Sequence, residues 1–129
     1  MINAPETPAR PIVVVVAEDE DLLRRLAVNA LSKEGFVAIE AGHATAALDI
    51  CKSRADEVDV LFTDIRMPGS MDGLELAHRV RERWPWIAVL IASGNVFVSA
   101  DELPAGARFL PKPYRMQRVV ELIHELRRR

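Results

Sequence analysis

Five β-branched residues in succession, Ile12-Val13-Val14-Val15-Val16, are followed after Ala17 by four acids, Glu18, Asp19, Glu20 and Asp21. A strand without polar alternation suits burial on both faces, as in the middle of a parallel sheet. The pattern then switches to helical spacing over residues 21–34, with Leu23, Leu26, Ala27, Ala30 and Leu31 on one face and Gly35 as a stop. Phe36 to Ile39 predicts a second strand, and Ala44, Ala47, Leu48 and Cys51 mark the apolar stripe of a second helix. Val58 to Thr63 predicts a third strand, again apolar and again ending in an acid, Asp64. After a Pro-Gly turn, Leu76, Ala77, Val80 and Trp84 outline a third helix, Val89 to Ala92 a fourth strand and Arg108 to Leu110 a short fifth. A last helix from about Arg115 buries Val119, Leu122, Ile123 and Leu126. Strand and helix alternate throughout, which indicates βαβ units around a parallel sheet. The exception is Asn95 to Gly106, where a further helix is due but no apolar stripe is sustained; one or two turns at most are expected there.

With 129 residues the chain suffices for one domain with a hydrophobic core. Residues 1–11, with Pro5, Pro8 and Pro11, read as a disordered lead-in, leaving residues 12–129 as the domain. A formal net charge of −2 argues against nucleic acid as a partner. The basic run Arg127-Arg128-Arg129 ends a helix, where the dipole favours cations. No apolar stretch reaches the roughly 20 residues that span a bilayer, so no membrane partner is expected. The start of the chain lacks the basic flank and apolar block of a secretory leader. The single cysteine, Cys51, cannot form an intramolecular disulfide and fits a reducing cytoplasm.

Ligands of open parallel sheets bind beyond the carboxyl ends of the strands, where strand order reverses. Glu18, Asp19 and Glu20 follow the first strand and Asp64 the third, so neighbouring strands would bring these carboxylates together. Such a cluster repels itself unless a hard cation relieves it, and Mg²⁺ accepts one or two carboxylates plus phosphate oxygens. A carboxylate beside that ion can attack phosphorus and form an aspartyl phosphate. Ser93, after the fourth strand, offers a hydroxyl to the transferred group, and Lys112, after the fifth, a cation. Taken singly, each of these groups also fits an ordinary role: helix-start acids, a turn serine, a solvated lysine. Complementary chemistry at four separate strand ends favours the phosphoryl site. His43, His78 and His124 lack metal-ligand spacing and read as surface residues; Trp84-Pro85-Trp86 reads as a helix end at the edge of the core.

With these residues in view, residues 12–128 resemble the receiver domains of two-component signalling. The resemblance is carried by Glu18-Asp19-Glu20 after the first strand and by Thr63-Asp64-Ile65-Arg66-Met67-Pro68-Gly69. Asp72-Gly73-Leu74, Ser93-Gly94 and Phe109-Leu110-Pro111-Lys112-Pro113-Tyr114 complete it. It implies a flavodoxin-like doubly wound sheet in the order 2-1-3-4-5, with the helix before the fifth strand shortened or replaced by a loop. It further implies that Asp64 is the phosphoacceptor, contacted through its phosphoryl group by Ser93 and Lys112. Mg²⁺ would be held by Asp19, Asp64 and the backbone carbonyl of Arg66, with Glu18 acting directly or through water. Ser93 and Phe109 would form the conformational switch, and the Lys112-Pro113 bond would be cis. The phosphoryl donor would be a phosphohistidine on a sensor histidine kinase or histidine phosphotransfer protein, with a downstream protein target possible. Such a chain catalyses its own phosphorylation and dephosphorylation rather than turning over an external substrate.

The sequence departs from the family pattern in three places. Ser70-Met71 lengthens the Pro68–Asp72 loop by a residue and is expected to alter only that loop, Phe109 replaces a frequent tyrosine, and the shortened helix removes part of a usual output face. Residues 95–106 are therefore expected to form a loop that responds to phosphorylation. Nothing after the last helix could form an effector domain, so the chain is expected to stand alone or to come from a larger protein such as a hybrid kinase. A flavin carrier with the same sheet would meet repulsion between its phosphate and the four acids. A phosphatase with its nucleophile at Asp19 and a second acid at Asp21 fits the spacing but not the full-length resemblance. A receiver-like interaction module that no longer uses phosphate is the remaining alternative.

Overall fold

A computed structural model describes residues 10–94 and 98–127. The expected disordered lead-in lies almost wholly outside the described residues, as do Asn95, Val96, Phe97, Arg128 and Arg129. Strands β1 (Val13–Ala17), β2 (Val37–Ala41), β3 (Val60–Asp64), β4 (Ala88–Ser93) and β5 (Arg108–Pro111) alternate with helices α1 (Asp21–Lys33), α2 (Ala44–Ser53), α3 (Gly73–Arg83) and α4 (Met116–Arg127). Between β4 and β5 the one helical element is a single 3₁₀ turn, Ala100–Glu102, among the described residues. All strand pairs are parallel and the order is β2-β1-β3-β4-β5, as expected from the sequence.

The valine run is explained by two cores, one on each face of the sheet. Val13, Val15 and Ala17 pack with buried residues of α2 and α3, whereas Val14 and Val16 pack with those of α1 and α4. Every β1 side chain therefore leaves water, which no alternating strand could do. The expected stripes of α2 and α4 are buried as read, and Leu76, Ala77 and Val80 bury α3. Gly35, at φ 92°, ends the first helical unit in the left-handed region that glycine tolerates.

Two expectations are corrected. In α1 only Ala27 and Leu31 are buried, while Leu23 and Leu26 remain 40% and 55% exposed, joined by Leu22 at 70%. The helix is rotated so that Ala27 and Leu31 meet the sheet while the leucines of its first two turns face outward. The extra residue in the Pro68–Asp72 loop is not confined to that loop, because Met71 inserts its side chain into the α2–α3 core. The histidines are exposed as expected, and His43 caps α2 by accepting from the Ala46 amide at 3.2 Å. Trp84 packs at the core edge, and Trp86 donates to the Ala55 carbonyl at 3.0 Å.

At the pole opposite the acids, Asp59 is buried and receives the Val13 amide and both Arg10 terminal nitrogens at 2.9 Å. Arg127 lies 3.4 Å from the same carboxylate. The entry strand and the end of α4 are thus fastened at one point, leaving the carboxyl ends of the strands for chemistry.

Candidate functional site

Parallel pairing of β1 with β3 puts Ala17 opposite Thr63, so the residues immediately beyond them meet. One oxygen each from Glu18, Asp19 and Asp64 lies within 4.8 Å of the others. Glu18 is buried, Asp64 half-buried and Asp19 partly exposed. Burial is the main cause that raises the Glu18 pKa, with Asp64 and Asp19 adding repulsion against the Glu20 amide and Lys112. Lys112 spans the cluster, with Nζ 3.2 Å from Asp64 Oδ2 and 3.7 Å from Glu18 Oε1. Burial alone would lower its pKa, but the charge and hydrogen bond of Asp64, with Glu18, outweigh it and raise it.

Local geometry holds Asp64. Its register partner on β4 is Ala92, and the Ile65 amide donates both to the Ala92 carbonyl at 3.1 Å and to Asp64 Oδ1 at 3.0 Å. The Thr63 hydroxyl donates to the Asp64 carbonyl at 2.9 Å. Helix α3 starts against this peptide: Asp72 caps it by accepting from the Glu75 amide, and the Gly73 amide donates to the Ile65 carbonyl at 2.8 Å. A Cβ on Gly73 would collide with the Asp64 carbonyl oxygen and sit 2.9 Å from the Thr63 hydroxyl. Only glycine permits so close an approach of α3 to the end of β3.

Ser93 is buried at the end of β4, one residue beyond the partner of Asp64, and its carbonyl accepts the Lys112 amide at 2.9 Å. The Lys112-Pro113 peptide is cis, as expected from the sequence. Phe109 is half-buried on β5, opposite Ile91, and packs with the α2–α3 core. Arg66 is exposed and lines a groove with Asp19, Met67 and Asp72. Glu18, Asp19, Asp64 and Lys112 thus converge by distance and Ser93 by register, while Phe109 and Arg66 lie in adjoining parts of the same end.

A family model described as the response regulator receiver domain matches residues 14–124. The chain belongs to that family. The receiver is 35% identical over 116 residues to sensor kinase CckA of Brucella abortus (strain 2308), a match covering 88% of this chain and 12% of that protein. It is 30% identical to the response regulator receiver protein CpdR of the same organism, covering 88% of this chain and 94% of that one. Among solved structures, a response regulator receiver protein from Sinorhizobium medicae WSM419 superposes with a TM-score of 0.83 at 25% identity, covering 90% of this chain and 94% of that one. This is a receiver domain of two-component signalling, a family that interacts with histidine kinases or phosphotransfer proteins.

Receiver domains are generally Mg²⁺-dependent, and the donors in this receiver fit that ion: three carboxylates, no thiol or imidazole, and a buried member whose repulsion a cation would relieve. Among the described residues, no helix is long and apolar enough to cross a membrane. Three contributors escaped sequence reasoning. Gly73 was visible only as part of a motif, because its close approach depends on where α3 lands. The α1 leucines read as core, since periodicity gives a face but not its direction. Arg24 resembled any helix-surface arginine near an acid, although it reaches the Glu18 carbonyl.

Proposed function

We propose that this receiver accepts a phosphoryl group on Asp64 from a phosphohistidine of a sensor kinase or phosphotransfer protein. The observation that carries the reading is Asp64 at the end of β3, grouped with Glu18 and Asp19 and 3.2 Å from the Lys112 ammonium. An Asp64 carboxylate oxygen attacks phosphorus; the new bond is O–P, the P–N bond breaks, and its electron pair leaves on the donor imidazole. Mg²⁺, held by Asp19, Asp64 and the Arg66 carbonyl with Glu18 nearby, would neutralise charge on the transferred oxygens. Lys112 exchanges its contact with Asp64 for one with a phosphoryl oxygen, and the Ser93 hydroxyl donates to another. Movement of Ser93 toward that group draws Phe109 inward and alters the packing of residues 98–106.

The donor reaches Asp64 over the apolar edge of α1. A groove of about 650 Å³ lined by Leu23, Leu26, Pro113, Tyr114 and Met116 runs to Gly94 and Lys112. A protein delivering phosphate to Asp64 covers this edge on its way in, and burial of the leucines would contribute to its affinity.

The test is intact-mass analysis after incubation with acetyl phosphate and Mg²⁺, comparing the unaltered protein with Asp64→Asn. A single metal-dependent phosphoryl adduct, missing from the variant, is expected. No adduct on either, with Mg²⁺ bound and a cognate kinase also failing, would sink the reading in favour of a phosphate-independent interaction module.

A further inference from the structure

We infer that Arg24 is a positioning residue for the cation site, holding the Glu18–Asp19 peptide so that Asp19 presents its carboxylate to the ion. This rests on the reading of Glu18, Asp19 and Asp64 as that site. Arg24 lies one turn inside α1 with its side chain only 13% exposed. Its guanidinium serves three acceptors on three elements. Nη1 donates to the Glu18 carbonyl at 2.9 Å, Nη2 to Asp21 Oδ1 at 2.7 Å, and Nε to Glu40 Oε1 at 3.0 Å. The β1–α1 loop, the first turn of α1 and β2 are thereby joined through one planar group.

The consequence for the site follows from what else holds that loop. The Glu18 amide donates to the Ala41 carbonyl of β2 at 3.1 Å, and the Glu20 amide donates to Glu18 Oε2 at 3.0 Å. With Arg24 on its carbonyl, Glu18 is anchored at both backbone groups, and Asp19 sits between two tethered neighbours. Among the described residues Asp19 itself has no side-chain hydrogen bond or ion pair, so its direction is set through this backbone. Arg24 also occupies Asp21 and Glu40, two acids that would otherwise compete for a cation beside the site. A lysine in the same place retains the charge but cannot satisfy three divergent acceptors with a fork of fixed geometry.

Positioning and simple charge make opposite predictions. Removing a cation near clustered carboxylates should tighten Mg²⁺ binding if the field alone matters, whereas loss of a partner that orients a ligand weakens it. The experiment is calorimetric titration of the metal-free protein with Mg²⁺ at fixed ionic strength, alongside urea unfolding in chelator. Arg24→Ala should raise the Mg²⁺ Kd about tenfold, and Arg24→Lys should fall between. Arg25→Ala, which removes the same charge from the exposed neighbouring position, should bind as tightly as the unaltered protein or tighter. A lower urea midpoint with unchanged or tighter Mg²⁺ binding in Arg24→Ala would make Arg24 merely structural and overturn the inference. Should that variant not fold, Arg24→Lys decides, and an unaltered Kd there has the same effect. Failure of the unaltered protein to bind Mg²⁺ would instead refute the cation-site reading, and this inference with it.

Discussion

Glu18 shows how a residue proposed for the cation site works against the fold that carries it. Its carboxyl is buried beside two other acids, and its pKa is raised above the 4.5 of an unburied glutamate, chiefly by desolvation. The folded state therefore binds that proton more tightly than the unfolded chain does. Its contribution to stability is present below pH 4.5 and is lost as pH rises through the folded value. Metal-free Glu18→Gln should thus unfold at higher urea than the unaltered protein at neutral pH, with the gap closing as pH falls through the raised folded value and gone below 4.5. Urea melts across pH in chelator check this; a lower midpoint at pH 7 would contradict it. The acids themselves were legible, because four consecutive carboxylates after an apolar strand have few structural uses. Gly73 and Arg24 were not, since what they do depends on atoms distant in the chain: the Asp64 carbonyl for one, Glu40 for the other.

At the scale of elements, α1 is the informative case. Its apolar residues recur at helical spacing, but they wrap too far round the helix to choose a single buried face. Ala27 and Leu31 approach the sheet, and Leu22, Leu23 and Leu26 are left outward. Helix α2 offers no such choice, since its stripe of Ala44, Ala47, Leu48 and Cys51 is buried as the spacing predicts. If the groove leucines meet the phosphodonor, Leu26→Ser should raise the half-saturating concentration of a histidine donor by roughly fivefold. Labelling by acetyl phosphate, which needs no docking, should be unchanged. Equal losses with both donors would indicate damage to the site rather than to a docking face.

Across the whole molecule, the departure from a regular βαβ alternation lies between β4 and β5. The Ser99–Glu102 capping box closes only one 3₁₀ turn, and this segment is fastened to α3 by a 2.6 Å contact between His78 Nε2 and the Glu102 carbonyl. Leu103, Ala107 and Phe109 lean on the α2–α3 core from the same side. A short turn held by few contacts opens at lower free energy than a packed helix. Inward movement of Phe109 should loosen it, so amide exchange over residues 98–106 should accelerate when a phosphoryl mimic and Mg²⁺ are bound. Hydrogen-exchange mass spectrometry reads this directly, and unchanged protection would refute a phosphorylation-responsive segment.

The order of strands and helices, the two-faced burial of β1 and the identity of the acidic, hydroxyl and lysine groups at the strand ends were all written in the sequence. Each is a local property: periodicity sets element type, and an apolar run followed by polar residues marks where a strand ends. Which way α1 turns its leucines, how Met71 reaches the core, the approach of α3 to Asp64 and the three-way hold of Arg24 were decided only by the tertiary structure. These depend on distances between elements far apart in the chain. Such distances emerge when the sheet, its two layers of helices and their loops close on one another under the demands of packing and hydrogen bonding.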